Sequence, residues 1–545
     1  MTRSLQRRTV LKLGAAAAAV SPGILAGCAK VKSTNTGAAA SADVKLPTYV
    51  PFDGPRPDLA GTTQGIQPGY KSFPKKLVQS VKATPGDGSK VTALTEIWET
   101  PPPPMGKNAY WQEMNKKLGV TLNLIMGTDP GYPDKFAAIV AGGDLPDLMW
   151  IPPNQGITHV ADLLTAKFTD LTSLLSGDAI KEYPNLAALQ PSAWKTAVVD
   201  GKIWGAPIPQ GVFGQIYVGN NKVWDPVGGF QCKNADEFMR KCKELTRPKQ
   251  NKWALEPYYA NAVHMFGQWF GAPNGWRQNK DGTLTNRFET EEYEAAVAYA
   301  IKLRKAGYFY PDPNITDSHT PYLQGKIAAV VQSGPGAIGA RSKDRVADPT
   351  VKDELLIPFG HSGGPGVHDL GYGSIGYTAI KKTDEKRVRM LLRVFDYLAA
   401  PFGSSEWLFL NYGTKGEHFT YDPHGAPAYT KKGSLEVIGV ESGVSTMCHS
   451  SEYVYDAQYP DDVDYLFGIQ KGLLKVAQAD PTIGHYSDTY TKVGGKLTND
   501  VYDTVTDIVA GRDPISALKQ AVNRWKSGGG EAMRKEYEKS IGKHH

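Results

Sequence analysis

Residues 91–151, VTALTEIWETPPPPMGKNAYWQEMNKKLGVTLNLIMGTDPGYPDKFAAIVAGGDLPDLMWI, decide the fold. Val91–Trp98 alternates as a strand does, and Pro101–Pro104 makes a stiff loop. Ala109–Leu118 has the pattern of a helix and Val120–Met126 that of a second strand. Pro133–Gly142 places Phe136, Ile139 and Val140 on one helical face, and Asp147–Ile151 is a short apolar strand. Strand–helix–strand–helix–strand at this pitch calls for parallel pairing through crossover helices, hence an α/β sheet covered on both faces. Ligands of such sheets sit at the carboxyl ends of the strands. Trp98 and Trp150 both fall there.

A second α/β stretch follows. Asp236–Leu245 and Glu291–Ala306 read as helices, the latter with Tyr293, Ala296, Val297, Ala300, Ile301 and Leu303 at helix-compatible spacings. Ile327–Gln332 is a strand that runs into Ser333-Gly334-Pro335-Gly336. A Gly-rich passage, Gly363–Gly376, precedes strand Tyr377–Ile380 and helix Glu385–Leu398. From Asp461 onward the pattern is mostly helical and ends in the charged segment Glu531–Ile541. Asp281-Gly282 reads as a hairpin turn. Counted from Asn279, a calcium loop would need Gly at position six and an acid at twelve, whereas this chain has Gly282 at four and Thr290 at twelve. No metal and no cofactor are expected, and no internal repeat is evident.

The 545 residues allow two or more packed domains, at about 150 residues each. With 41% hydrophobic and 21% charged residues, the composition excludes global disorder and a bundle of membrane helices. Arg3, Arg7, Arg8 and Lys12 lie in the first 27 residues, which hold no acid, so removing that segment lowers the net charge from +6 to +2. No long Lys/Arg run follows, which speaks against nucleic acid as a partner. The 11 Trp and 27 Tyr supply flat faces with polar tips, useful against sugars and equally useful as core. Cys28, Cys232, Cys242 and Cys448 lack the spacing of a zinc site. Cys232 and Cys242 are close enough in sequence to pair after export, and equally able to remain free thiols.

The N-terminus combines a cationic head, an Ala-rich apolar run and small residues at a cut site, the order of an export signal. Arg7-Arg8 followed by Val10-Leu11-Lys12 resembles a twin-arginine signal. Leu25-Ala26-Gly27-Cys28 resembles a lipobox, which implies cleavage before Cys28 and acylation of its thiol. The apolar stretch from Leu13 to Ala26 falls short of the roughly 20 residues needed to span a bilayer. Residues 29–60, rich in Ala, Ser, Thr, Gly and Pro, read as a flexible tether. The expected location is therefore the extracytoplasmic face of the cell membrane, lipid-anchored through Cys28.

Further motifs occur in a fixed order: Leu145-Pro146-Asp147-Leu148; Asp200-Gly201-Lys202-Ile203-Trp204-Gly205-Ala206-Pro207; Gly325-Lys326-Ile327-Ala328-Ala329; Asn411-Tyr412-Gly413-Thr414-Lys415-Gly416-Glu417-His418; Gly511-Arg512-Asp513-Pro514; and Trp525 before Gly528-Gly529-Gly530. In this order, from about residue 90 to the end, the chain resembles the extracellular solute-binding proteins of family 1, particularly the long lipoproteins of carbohydrate ABC importers. That resemblance implies an α/β, two-lobed, periplasmic-binding-protein-like fold (type II-like), its lobes joined by a multi-strand hinge that closes over ligand. It implies a signal at 1–27, a tether and N-terminal extension at 28–89, a first lobe at 90–216 with 377–430, and a second at 217–376 with 431–545. Tyr217–Asn221 resembles the first crossing and Gly376–Ile380 the return.

The expected ligand-binding residues are Trp98, Glu99, Trp150, Asn154, Trp269, Trp276, Gln332, Ser333 and Tyr372. Trp98-Glu99 and Trp150 follow strands, and Gln332-Ser333 sits where the family places a ligand loop. Trp269 and Trp276 flank the turn Gly271–Gly275, and Tyr372 lies between glycines. For each, packing is the competing reading. Trp204, Tyr412 and Trp525 are assigned to structure. The functional expectation is a monomeric, non-enzymatic receptor that captures a carbohydrate, an oligosaccharide by preference, beside ABC permease subunits. The rivals are a lipid-anchored glycoside hydrolase or lyase and a receptor for a non-sugar solute. HExxH and P-loop spacings do not occur in the sequence, and a glycosidase would need two carboxylates about 5–5.5 or 6.5–9.5 Å apart.

Overall fold

The alternation from Val91 onward is built into the first of two larger sheets. The computed structural model describes residues 44–542, apart from 129–130, 154–156, 314, 316, 335–344 and 346–347. Strands β1 (Lys90–Ile97), β2 (Thr121–Thr128), β3 (Leu148–Ile151) and β4 (Gly205–Pro209) lie in the first lobe. Strands β5 (Gln215–Asn220), β6 (Trp253–Leu255), β7 (Ile327–Ser333) and β8 (Asp353–Leu355) form the second sheet, and β9 (Ser374–Ile380) returns to the first. The first sheet has the order β2-β1-β3-β9-β4, with β1 parallel to β2 and β3 and with β9 antiparallel to both its neighbours. The second has the order β8-β5-β7-β6, with β7 antiparallel to β5 and parallel to β6.

Period-two alternation assigns the side chains to opposite faces. Val91 and Ala93 enter one core of the first lobe with Leu122 and Leu148, whereas Leu94, Met149 and Ile151 enter the other. In β5, Tyr217 faces one core of the second lobe, and Ile216 and Val218 face the other. Crossover helices α1 (Ala109–Leu118) and α2 (Tyr132–Gly142) join the first three strands, as their sequence pattern predicts. Helices α3 (Tyr259–Phe270) and α4 (Glu291–Lys305) pack in the second lobe, and α5 (Glu385–Leu398), α6 (Ser405–Tyr412) and α7 (Ile438–Ser445) return to the first. The last helices, α8 (Pro460–Lys475), α9 (Gly495–Ala510), α10 (Ser516–Trp525) and α11 (Glu531–Gly542), cover the second lobe.

Two of the sequence motifs are structural devices. Asp147 accepts hydrogen bonds from the Thr92 backbone N–H at 2.8 Å and from Arg387 Nη2 at 3.0 Å, so its carboxylate ties β1, the entry to β3 and α5 together. Asp200 and Gly201 both have positive φ, 48° and 69°, and turn Val198–Val199 back onto Lys202–Ile203 as a tight two-residue hairpin.

The crossings lie earlier than the resemblance implies. Tyr217 belongs to β5 inside the second sheet and Tyr377 to β9 inside the first. The chain passes between lobes at residues 210–214 and 369–373, which bond to each other: Gly214 N–H to Asp369 O at 3.2 Å, Gly371 N–H to Val212 O, and Gln210 N–H to Gly373 O. Helix α7 with Met447 and Cys448 packs in the first lobe's core, past the expected limit at residue 430. Cys232, Cys242 and Cys448 are unbridged.

The N-terminal extension differs most from expectation. From residue 44 the chain is laid on the body as a strap, not held as a loose tether. Thr48 and Val50 donate backbone hydrogen bonds to Gly177 and Ala187. Gly69–Tyr70 pairs in parallel with Val454–Tyr455, and the Gln67 N–H donates to Gln470 Oε1 on α8. Phe73 is buried against Phe402 and Trp407. Since deleting a buried Phe side chain costs about 3–5 kcal/mol, Phe73→Ala should lower unfolding free energy by that amount in a denaturant titration. A loss below about 1 kcal/mol would mean that the strap is only lightly attached.

Candidate functional site

Between the lobes lies a cleft of about 670 Å³. The first lobe contributes Glu96, Trp98, Trp150 and Pro152, from the carboxyl ends of β1 and β3. Trp98 is 53% exposed, although its backbone N–H is held by Ser442 Oγ of α7 at 3.3 Å. Its ring meets Trp150 edge-on, with centroids 6.3 Å apart. Trp150 is buried, gripped by Tyr132, whose hydroxyl donates to the Trp150 carbonyl at 2.6 Å. Gly376, at φ 131°, sits against it: a Cβ there would lie 2.4 Å from Ile151 O and 2.8 Å from Trp150 Nε1. A side chain at 376 would therefore displace the Trp150 ring.

The second lobe contributes a polar cluster. His264 on α3, Arg287 after the short hairpin, Asp369 in the crossing and Asp480 beyond α8 all line the cleft. Arg287 Nη1 lies 2.8 Å from His264 Nδ1, and Nη2 lies 3.5 Å from Asp369 Oδ2. Burial, together with the Arg287 charge, holds His264 well below its ordinary pKa. Neutral His264 thus accepts from Arg287 at Nδ1 and carries its proton on Nε2, which faces Asp369 Oδ2 at 3.6 Å. Asp369 also accepts from Gln478 Nε2 at 2.7 Å; burial still raises its pKa, against the pull of Arg287. Burial lifts Asp480 to about 6, opposed by hydrogen bonds from Thr482. Arg287 Nη2, Asp369 Oδ2 and Trp150 Nε1 are buried and make no hydrogen bond within the described protein. Such groups are costly to leave unpaired, and a ligand rich in hydroxyls can serve both donors and acceptors.

Of the expected residues, Trp98, Trp150, Trp276, Ser333 and Tyr372 line this cleft. The neighbouring Tyr490, together with burial, pushes the Tyr372 phenol well above its ordinary pKa. Trp269 belongs to the core: it is 3% exposed and packed among Phe238, Phe266 and Phe359. Gln332 sits within β7 opposite Ile216, outside the cleft lining, and Glu99 is exposed beside it without lining it. Asn154 and Cys28 fall outside the described residues. The sequence reading missed His264, Arg287, Asp369, Asp480, Tyr490 and Tyr502. A faint signal existed on α9, where Asn499 and Tyr502 lie three apart on one helical face.

Two lobes around a polar, aromatic cleft are the architecture of a receptor for a small solute. The profile of the bacterial extracellular solute-binding protein family matches residues 109–387. The chain belongs to that family. Among relatives, lipoprotein LipO of Bacillus subtilis (strain 168) is 24% identical over 465 residues, 81% of this chain and 90% of LipO. The polygalacturonan/rhamnogalacturonan-binding protein YtcQ of the same organism is also 24% identical, over 88% of this chain and 96% of YtcQ. Among solved structures, the alginate-binding protein AlgQ2 without calcium ion superposes with a TM-score of 0.61 at 12% identity, over 86% of this chain and all of AlgQ2. The solved structure of AlgQ2 shares the two-lobed fold. No helix among the described residues is long and apolar enough to cross a membrane.

Buried acids in and around the cleft set a pH dependence. Burial lifts Glu256, Glu441 and Glu452 to about 7 and Asp396 and Asp480 to about 6. A raised folded-state pKa means the fold favours the protonated acid, so this stabilisation is complete only below the unfolded values near 4 and is lost as pH rises through 6–7. Buried His264, His368 and His449 are pushed down instead, and their contribution is lost as pH falls below about 6.5. Between pH 8 and 7 the acids dominate. The melting temperature should therefore rise as pH is lowered over that interval; a flat or falling Tm would contradict the assigned burial.

Proposed function

We propose that the protein captures a carbohydrate between its lobes, outside the cytoplasmic membrane, and hands it unaltered to the permease subunits of an ABC importer. The observation that carries this reading is Trp98, a half-exposed aromatic platform at the mouth of a cleft whose other wall is a hydrogen-bonding cluster. A sugar has the same two-sided chemistry: C–H faces for an aromatic ring and hydroxyls for Arg, Asp, Asn and Tyr. The names of YtcQ and AlgQ2, a polygalacturonan- and an alginate-binding protein, favour a saccharide over other polar solutes. Trp98, Trp150, Trp276, Ser333 and Tyr372 are the proposed contacts, joined by Asn274, Arg287, Asp369 and Tyr490.

The reading extends to cell biology. The signal with Arg7-Arg8 directs export, and acylation of Cys28 anchors the monomer beside its permease. Turnover is not part of the role. Asp369 is committed to Arg287 and Gln478, and Asp480 to Thr482, which suits fixed acceptors better than a proton-shuttling pair.

Soluble protein lacking residues 1–28 should show a saturable thermal shift with members of a saccharide panel, and mass spectrometry should recover the ligand intact. Cleaved ligand would defeat the receptor reading. Trp98→Ala should weaken binding by roughly tenfold, about 1.4 kcal/mol, without changing Tm. Trp269→Ala should instead destabilise the fold by about 3–5 kcal/mol. Normal binding by Trp98→Ala would remove the platform from the site.

A further inference from the structure

We infer that a cavity in the first lobe, apart from the cleft, is a second binding site for a primary ammonium group, carried by a free amine or by an amino sugar; the inference goes beyond the carbohydrate reading and does not rest on it. The cavity holds about 480 Å³ between α6, α7 and the chain that leaves α7, with Gln67 of the strap also lining it. Among the described lining residues it shares none with the cleft. Glu441 and Ser445 stand one turn apart on the face of α7 that borders it. Glu441 is half-buried, yet it forms no hydrogen bond and no ion pair with any described residue. Burial lifts its pKa to about 7, and the charge of exposed Glu99 adds to the rise.

The other polar groups of this wall have turned donors toward the protein and left acceptors open. The Ser445 hydroxyl donates to Ser442 O at 2.9 Å, and the Ser451 hydroxyl to Ala188 O at 3.5 Å. Asn411 and Gln67 each commit an amide N–H, to Trp407 O at 2.9 Å and to Glu452 Oε2 at 2.7 Å. Glu452 Oε2 also accepts from Gly211 N–H, which leaves Oε1 without a hydrogen bond to the described residues. Burial holds His449 neutral, so its Nδ1–H donates to Ser450 O at 2.7 Å and Nε2 is an acceptor.

A carboxylate held away from bulk water with no partner is costly to the empty protein. A ligand hydroxyl would offer it one donor and bring a further acceptor of its own. An alkylammonium brings three donors, no acceptor and a compensating charge, and its hydrogen bonds to a carboxylate are of the stronger, charge-assisted kind. The apolar part of the wall suits the same group. Trp407 and Tyr453 have ring planes 74° apart and centroids separated by 5.8 Å, and Tyr455 lines the cavity with them. Aromatic faces attract a cation that comes within about 6 Å. Glu99 did not join the cleft, and its charge beside Glu441 favours a cation here.

Calorimetric titration of protein lacking residues 1–28 with two matched pairs tests this at about pH 7.5: ethanolamine against ethylene glycol, and 6-amino-6-deoxyglucose against glucose. The expected result is that at least one amine binds about tenfold more tightly than its alcohol or better. Preference in the first pair identifies a free amine as the source, and preference in the second alone an amino sugar. Glu441→Gln, which keeps the shape and removes the charge, should abolish that preference while Tm holds or rises, because an unpaired carboxylate is lost. Ser445→Met fills the same space from one turn along α7 and should weaken the amine by about tenfold as well. Equal binding of amine and alcohol in both pairs, or no binding of either amine, would overturn the inference. So would an amine preference that survives both substitutions, since the ammonium group would then sit elsewhere.

Discussion

The backbone pairing of residues 210–214 with 369–373 is the contact on which the rest of the structure depends. Two segments that cross between lobes in opposite directions bond to one another, so the hinge is a short ribbon and not two independent linkers. Gly214 makes this possible, since a Cβ there would lie 2.5 Å from Asp369 O. A third tie comes from Glu452, whose Oε2 accepts from both Gly211 N–H and Gln67 Nε2. The N-terminal strap, the ribbon and the chain leaving α7 therefore converge on a single half-buried carboxyl group.

Asp369 belongs to the ribbon and the cleft at once. Its carbonyl accepts from Gly214, its N–H donates to Gln268 Oε1 on α3, and its carboxylate faces Arg287 and His264. A ligand hydroxyl that binds this carboxylate touches the segment that sets the angle between the lobes. Closure and recognition share a residue, and a ligand that makes no differential contact with Asp369 or Arg287 would give closure little driving force.

The parts of the fold that were legible are those governed by local periodicity. β1, β2, β3, α1 and α2 lie within two residues of where alternation and helical spacing put them, because each buries a continuous face. The strap was not legible for the complementary reason. It buries isolated side chains such as Ile66 and Phe73 in a Pro- and Gly-rich chain, which leaves no period to read. Trp269 and Trp276 show the limit for the site. Both flank one glycine turn, yet Trp269 is on the α3 face turned toward Phe238, whereas Trp276 opens the hairpin that borders the cleft. His264, Arg287, Asp369 and Asp480 are scattered over more than two hundred residues of sequence and meet only through the topology of the second lobe.

The exposure of Trp98 then has a physical reading. A Trp left 53% exposed forgoes burial worth about 1–2 kcal/mol to the isolated fold, yet Ser442 fixes its backbone and Trp150 its ring edge. Both contacts hold Trp98 in place in the empty protein, so a ligand stacking on it would find little entropy left to remove. The opposite wall is prepared in the same sense, with Arg287 and Asp369 already facing each other and still holding unused donor and acceptor atoms. Apolar surface kept open on one lobe and polar groups kept short of partners on the other are both unfavourable for the empty protein. Only a solute with one face for each wall relieves both, and that mutual relief is what can hold the lobes closed.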